Sequence, residues 1–194
     1  MNLNPSHVAR SKTKYLLGAA VMLLGISPAY AERWTLTSKS EVGFEIKSMG
    51  VQLVGGQFKQ VQSVMHFDPT APQQGSTQFV LNVDSLQLSK PSLRHMILGE
   101  DLFHAQKYKT VSFKSTRFTA LGPDQYRIAG NLTLRGVTRP VVFHTSLKPN
   151  TGNPKLLDVQ SSTQIQRSDF GMKKAIGGVG EKVNIQLKGQ WRVQ

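Results

Sequence analysis

The chain of 194 residues contains no cysteine. That excludes a disulfide scaffold, a thiolate metal site and a cysteine nucleophile. Acidic residues are scarce too: 11 Asp and Glu stand against 24 Lys and Arg, for a formal net charge of +13. Carboxylate chemistry is correspondingly thin, since Glu100 and Asp101 are adjacent and diverge on a helix, while Asp169 falls in a turn. The sequence has no Gly-x-Ser-x-Gly elbow and no His-Glu-x-x-His. His66, His95, His104 and His144 lack the spacing of a helical metal pair and read as surface histidines. The longest apolar run, Tyr15–Ile26, falls short of the roughly 20 residues that span a bilayer.

That short run has another reading. Arg10, Lys12 and Lys14 precede it without any acid, and Ser27-Pro28-Ala29-Tyr30-Ala31 follows it. A charged start, a short apolar centre and an Ala-x-Ala end form the layout of a secretory signal peptide. The expected organisation is a signal peptide over 1–31, cleaved after Ala31, and one domain over 32–194 that is periplasmic or secreted. Cleavage removes three basic residues and lowers the charge from +13 to +10. An exported chain meets little nucleic acid, so nucleic acid is not an expected partner. An anionic membrane surface is one, against the plainer reading of a basic surface that only keeps the protein soluble.

Alternation dominates the remaining chain. Val42, Phe44 and Ile46 share one parity, with Glu45 and Lys47 on the other. Phe79, Leu81 and Val83 repeat the pattern, as do Val111 and Phe113, and Ile128, Gly130 and Leu132 within Tyr126–Leu134. Val183, Ile185, Leu187, Trp191 and Val193 oppose Asn184, Gln186, Lys188, Gln190 and Arg192. Period-two patterning means strands with one apolar and one wet face. Trp34–Leu36, Phe58–Phe67, Val141–Leu147 and Val159–Ile165 complete about eight or nine strands.

One segment departs from this rhythm. Leu93, Ile97, Leu98, Leu102 and Ala105 recur at helical spacing within Pro91–Gln106, which predicts a helix, or two split at Gly99, with Ser89 as cap. Asp68-Pro69, Gly122-Pro123-Asp124 and Pro149–Pro154 read as turns. Gly177-Gly178-Val179-Gly180 leads into Glu181-Lys182 and a strand, so it reads as a hairpin connection, with Lys173 and Lys174 as an anion-attracting rim. So many short strands close into a sandwich or a barrel, and periodicity does not choose between them.

Several strings together resemble the YceI-like family. Ser40-x-Val42-Gly43-Phe44, Met49-Gly50-Val51 and Gly55-x-x-Phe58 resemble its opening. Asp101-Leu102-Phe103, Lys107-Tyr108 and Val111–Ser115 are similar to its middle. Gly130-x-Leu132-Thr133-Leu134-x-Gly136–Val141, Arg167–Gly171 and the last strand close the match, over about Trp34 to Val193. Departures are Ser48 where many relatives have histidine, Lys109 in place of proline after Tyr108, and the altered helix run Leu93-Arg94-His95-Met96.

The resemblance implies an all-β, extended antiparallel up-and-down barrel, lipocalin-like, of about eight strands with one short helical segment at its mouth. It implies a non-enzymatic carrier, without a cofactor, for a polyisoprenoid, an isoprenoid quinone or a similar amphiphilic lipid, and it leaves a homodimer open. The expected lining is Phe44, Ile46, Phe79, Leu81, Phe113, Leu132, Leu134 and Phe143, with Leu102, Phe103 and Tyr108 near the mouth. Two readings compete with it. One is a packed barrel whose basic face meets an anionic surface. The other is a lipid-modifying enzyme drawing on His95, His104 or Asp169.

Overall fold

A computed structural model describes residue 1 and residues 31–48, 51–172 and 180–194. Residues 2–30 of the expected signal peptide, the Met49-Gly50 pair, Lys173, Lys174 and most of the glycine loop lie outside the described residues. Eleven strands form one antiparallel sheet: β1 (Glu32–Leu36), β2 (Glu41–Ser48), β3 (Val51–Phe58), β4 (Val61–Phe67), β5 (Ser76–Asn82), β6 (Leu86–Leu88), β7 (Thr110–Gly122), β8 (Gln125–Leu134), β9 (Val137–Pro149), β10 (Leu156–Gln166) and β11 (Lys182–Val193). Their order is β1-β4-β5-β7-β8-β9-β10-β11, and β11 pairs back onto β1, which closes a ring of eight strands. The barrel is therefore the correct choice over the sandwich. β2, β3 and β6 branch from β11 as a flap continuous with the wall.

The branch point has a local cause. β11 pairs with β2 through Lys188 and with β1 from Trp191 onward, so one edge serves two strands. Gly189 sits between the two pairings at φ +147°, where a Cβ would lie 2.3 Å from the Ser40 hydroxyl. The amide of Gln190 donates to Ser40 Oγ at 3.0 Å, which ties the β1–β2 turn to the kink. At the β8–β9 hairpin, Arg135 and Gly136 both have positive φ, the requirement of a tight two-residue turn whose twist matches its strands.

The pleat explains the core. Along β8, Tyr126, Ile128, Gly130, Leu132 and Leu134 are all buried, while Arg127 and Asn131 are exposed. At one end of the barrel Phe67, Phe118 and Tyr126 pack ring to ring, with centroids 5.3 and 6.2 Å apart, and the Trp34 indole donates to the Phe67 carbonyl at 3.4 Å. This aromatic layer is a floor. Burial and the charge of Asp124 push the Tyr126 phenol above its ordinary value.

Three expectations change. The Pro91–Gln106 helix shrinks to a 3₁₀ turn over Pro91–Leu93 and α1 (Arg94–Leu98). Gly99 leaves helical geometry at ψ 176°, and the following turns bury Leu102, Phe103 and Ala105 without a helix. Ser89 does not cap it, since its hydroxyl accepts the Gly55 amide at 2.9 Å. The Phe58–Phe67 strand is the end of β3, a tight turn and β4, and Val83 lies in a 3₁₀ turn rather than on a strand.

Candidate functional site

Between the aromatic floor and α1 the barrel holds a cavity of about 150 Å³. Every strand except β1 and β6 contributes to its wall. The cause is the alternation itself: inward positions carry Val, Ile, Leu and Phe, so closing the sheet gathers them around one axis. A mainly apolar space of this kind suits an apolar guest. Ten of the eleven residues expected from the sequence lie on this wall: Phe44, Ile46, Phe79, Leu81, Leu102, Phe103, Phe113, Leu132, Leu134 and Phe143. Phe113 meets Phe143 edge to face at 5.0 Å, and Phe103 reaches Phe44 at 6.0 Å and Phe58 at 6.2 Å. Phe103 thus holds the segment after α1 over the cavity's upper end.

Tyr108 is the exception. Its ring packs beneath Gly136, where a Cβ would come within 2.6 Å, and stands edge-on to His104 at 5.7 Å. It braces the β8–β9 hairpin from outside the cavity. His95, His104 and Asp169 are likewise absent from the wall. The His104 ring lies 4.0 Å from Glu100, and the Asp169 carbonyl accepts Arg139 Nε at 3.2 Å. Among the described residues no three His, Asp or Glu side chains gather as metal ligands do.

The sequence reasoning missed the polar parts of the wall. Arg167 is only 5% exposed yet borders the cavity. Its Nη1 donates to the Met172 carbonyl at 2.5 Å, and Nη2 lies 3.5 Å from Glu181. The signal was the Arg167–Gly171 string, but a charged side chain is seldom buried, so charge alone argued against it. Glu181 also accepts the Ser168 amide at 2.8 Å. Hydrogen bonds from Ser168, side chain first and then backbone, with the charge of Arg167 adding to them, hold the Glu181 carboxyl below its usual range.

This clamp has a pH consequence. A carboxyl whose pKa falls on folding stabilises the fold above its unfolded value, and that contribution disappears as pH falls through the folded one. Glu181→Gln should therefore lower the melting temperature at neutral pH, and the gap from the wild type should narrow as pH drops below about 4. Melting curves across pH check this; parallel profiles would contradict it.

A second polar pair sits deeper. Thr145 and Ser161 face each other across β9 and β10, their hydroxyls 2.6 Å apart on the cavity wall. Removing one partner strands the other, at a cost of about 1–3 kcal/mol, whereas removing both is nearly neutral. Thr145→Val and Ser161→Ala are expected to destabilise singly and to recover most of the loss together, as a double-mutant cycle in urea measures.

A family model described as a YceI-like domain matches residues 34–191. A UPF0312 protein of Azotobacter vinelandii is 26% identical over 180 residues, covering 90% of this chain and 94% of that protein. Burkholderia cenocepacia BcnA, a solved structure, has a TM-score of 0.73 at 25% identity, over 80% of this chain and 98% of that one. A polyisoprenoid binding domain from Saccharophagus degradans, implicated in plant cell wall breakdown, shares the fold with a TM-score of 0.62 at 12% identity, over 85% of this chain and 99% of that one.

Proposed function

The chain belongs to the YceI-like family, and on that premise we propose that it is a non-enzymatic carrier or reservoir that holds a polyisoprenoid or isoprenoid-quinone chain inside the barrel. The observation that carries this reading is the apolar cavity walled by ten of the residues named from the family likeness and the strand parity. The description of the Saccharophagus neighbour as a polyisoprenoid binding domain supports the ligand class. Affinity comes mainly from removing the chain from water, roughly 0.8 kcal/mol for each buried CH₂. Arg167 and the Thr145–Ser161 pair are among the polar groups on the wall beside which an oxygen-bearing end would lie. The protein works in the periplasm or outside the cell after cleavage behind Ala31, where a water-insoluble chain needs a shield to move or to be stored.

A fluorescence titration tests this. Trp191 borders the cavity and Trp34 does not, and these are the chain's two tryptophans. Delipidated protein titrated with a long-chain isoprenoid quinone should show saturable quenching at one quinone per chain. Quenching that rises linearly without saturation would overturn the carrier reading.

A further inference from the structure

We propose that the outer face of β7, β8 and β9 docks on an anionic lipid bilayer. These three strands contain no Asp or Glu, although the whole chain has 11. The pleat turns Lys114, Arg117 and Arg127 outward, and the register sets them in adjoining rows. Lys114 aligns with Asn131 and Pro140, Arg117 with Ala129 and Val142, and Arg127 with His144. All three cations are exposed. Among the described residues none of them pairs with a carboxylate. The acids at its margins are Asp124, half-buried in the β7–β8 turn, and Asp158 of β10 opposite Lys148, while Glu41 and Glu45 stand on β2. Within the three strands the positive field has no carboxylate to offset it.

Charge alone would suit any polyanion, and the apolar groups narrow the choice. Val142 is 39% exposed in the row of Arg117, and Leu121 is 51% exposed at the end of β7. Aliphatic side chains among cations gain from a lipid interface, where both find a partner, and gain nothing from a hydrated polymer.

The position of the face adds a second argument. The β9–β10 ladder stops at the His144–Ser162 pair, although β9 stays paired to β8 as far as Val137 and β10 to β11 as far as Gln166. Past that pair the wall has no ladder, and Phe143 and Ile165 line the cavity on either side of the break. Docking thus brings the edge of a weak stretch of wall to the bilayer. That last link rests on the lipid-carrier reading; the docking itself does not.

Co-sedimentation with vesicles tests the proposal, using protein purified from the cells that make it. Vesicles of phosphatidylcholine and phosphatidylglycerol in equal parts should bind it, pure phosphatidylcholine should not, and added salt should release it. The double variant Arg117→Glu with Arg127→Glu should bind roughly 30-fold more weakly, each basic residue at such a surface being worth about fivefold. Lys39→Glu with Lys59→Glu makes the same charge change in turns away from this face and should leave binding within about threefold of wild type. Equal loss in both double variants, or binding to a soluble polyanion such as heparin without binding to vesicles, would overturn the docking face. Mass spectrometry of lipid extracted from the same variants reads the cavity separately, so failure of either idea is visible alone.

Discussion

Phe143→Asp should empty the barrel while leaving it folded. Phe143 stands half-buried on the cavity wall, against Phe113 at 5.0 Å. A carboxylate there faces the space that an apolar chain would fill. Occupancy would then strip water from a charge while Arg167 on the same wall is already engaged by Glu181, a penalty of several kcal/mol. That corresponds to at least a hundredfold loss of affinity by ordinary binding arithmetic. The fold escapes most of the penalty because an emptied cavity can hydrate the new group. Leu132→Asp is expected to lose the ligand too, but it acts on a residue only 4% exposed and should cost stability as well. Quinone titration and thermal melts on the two variants separate these effects. Wild-type retention by Phe143→Asp would make that residue ordinary core.

Phe67→Ala acts on the other end of the barrel and should show the reverse pattern. Phe67 is 1% exposed, packs on Phe118 and Tyr126, and offers its carbonyl to the Trp34 indole. None of these residues borders the cavity. Truncating a buried phenylalanine costs about 3–5 kcal/mol through lost transfer energy and the void left behind. For a domain of this size that lowers the melting temperature by roughly 10 °C. Below the new transition the upper wall is intact, so quinone affinity should stay within a few-fold of wild type. A mild melt with lost binding would mean that the floor shapes the cavity directly.

Much of this architecture is visible in the residues, and the exceptions have physical reasons. Strand β8 is plain because a wall with one dry and one wet face must alternate, and Tyr126 to Leu134 does so without a break. Closure is another matter. It depends on β11 reaching β1, a pairing over more than a hundred residues that leaves no local trace, so family likeness and not periodicity implies the barrel. Strand β3 is hidden because its Gly55-Gly56 pair interrupts the alternation, and β6 because three residues are too few to show a period. Helical spacing misled after Gly99, where Leu102, Phe103 and Ala105 are buried by consecutive turns.

The site divides in the same way. Apolar wall residues follow from parity once the sheet is closed. Arg167 does not, because what buries it is a set of contacts to Met172 and Glu181 that only the folded turn creates. Tyr108 shows the converse error: an aromatic beside the mouth in sequence braces a hairpin in space.

The most direct test of the carrier claim is to purify the protein from the cells that make it, extract it with organic solvent and weigh the extract by mass spectrometry. A species stoichiometric with protein, bearing a ladder of isoprene units, is the result expected. A stoichiometric lipid without isoprene units, or an empty extract from folded protein that also fails to take up added polyisoprenoid, would contradict it.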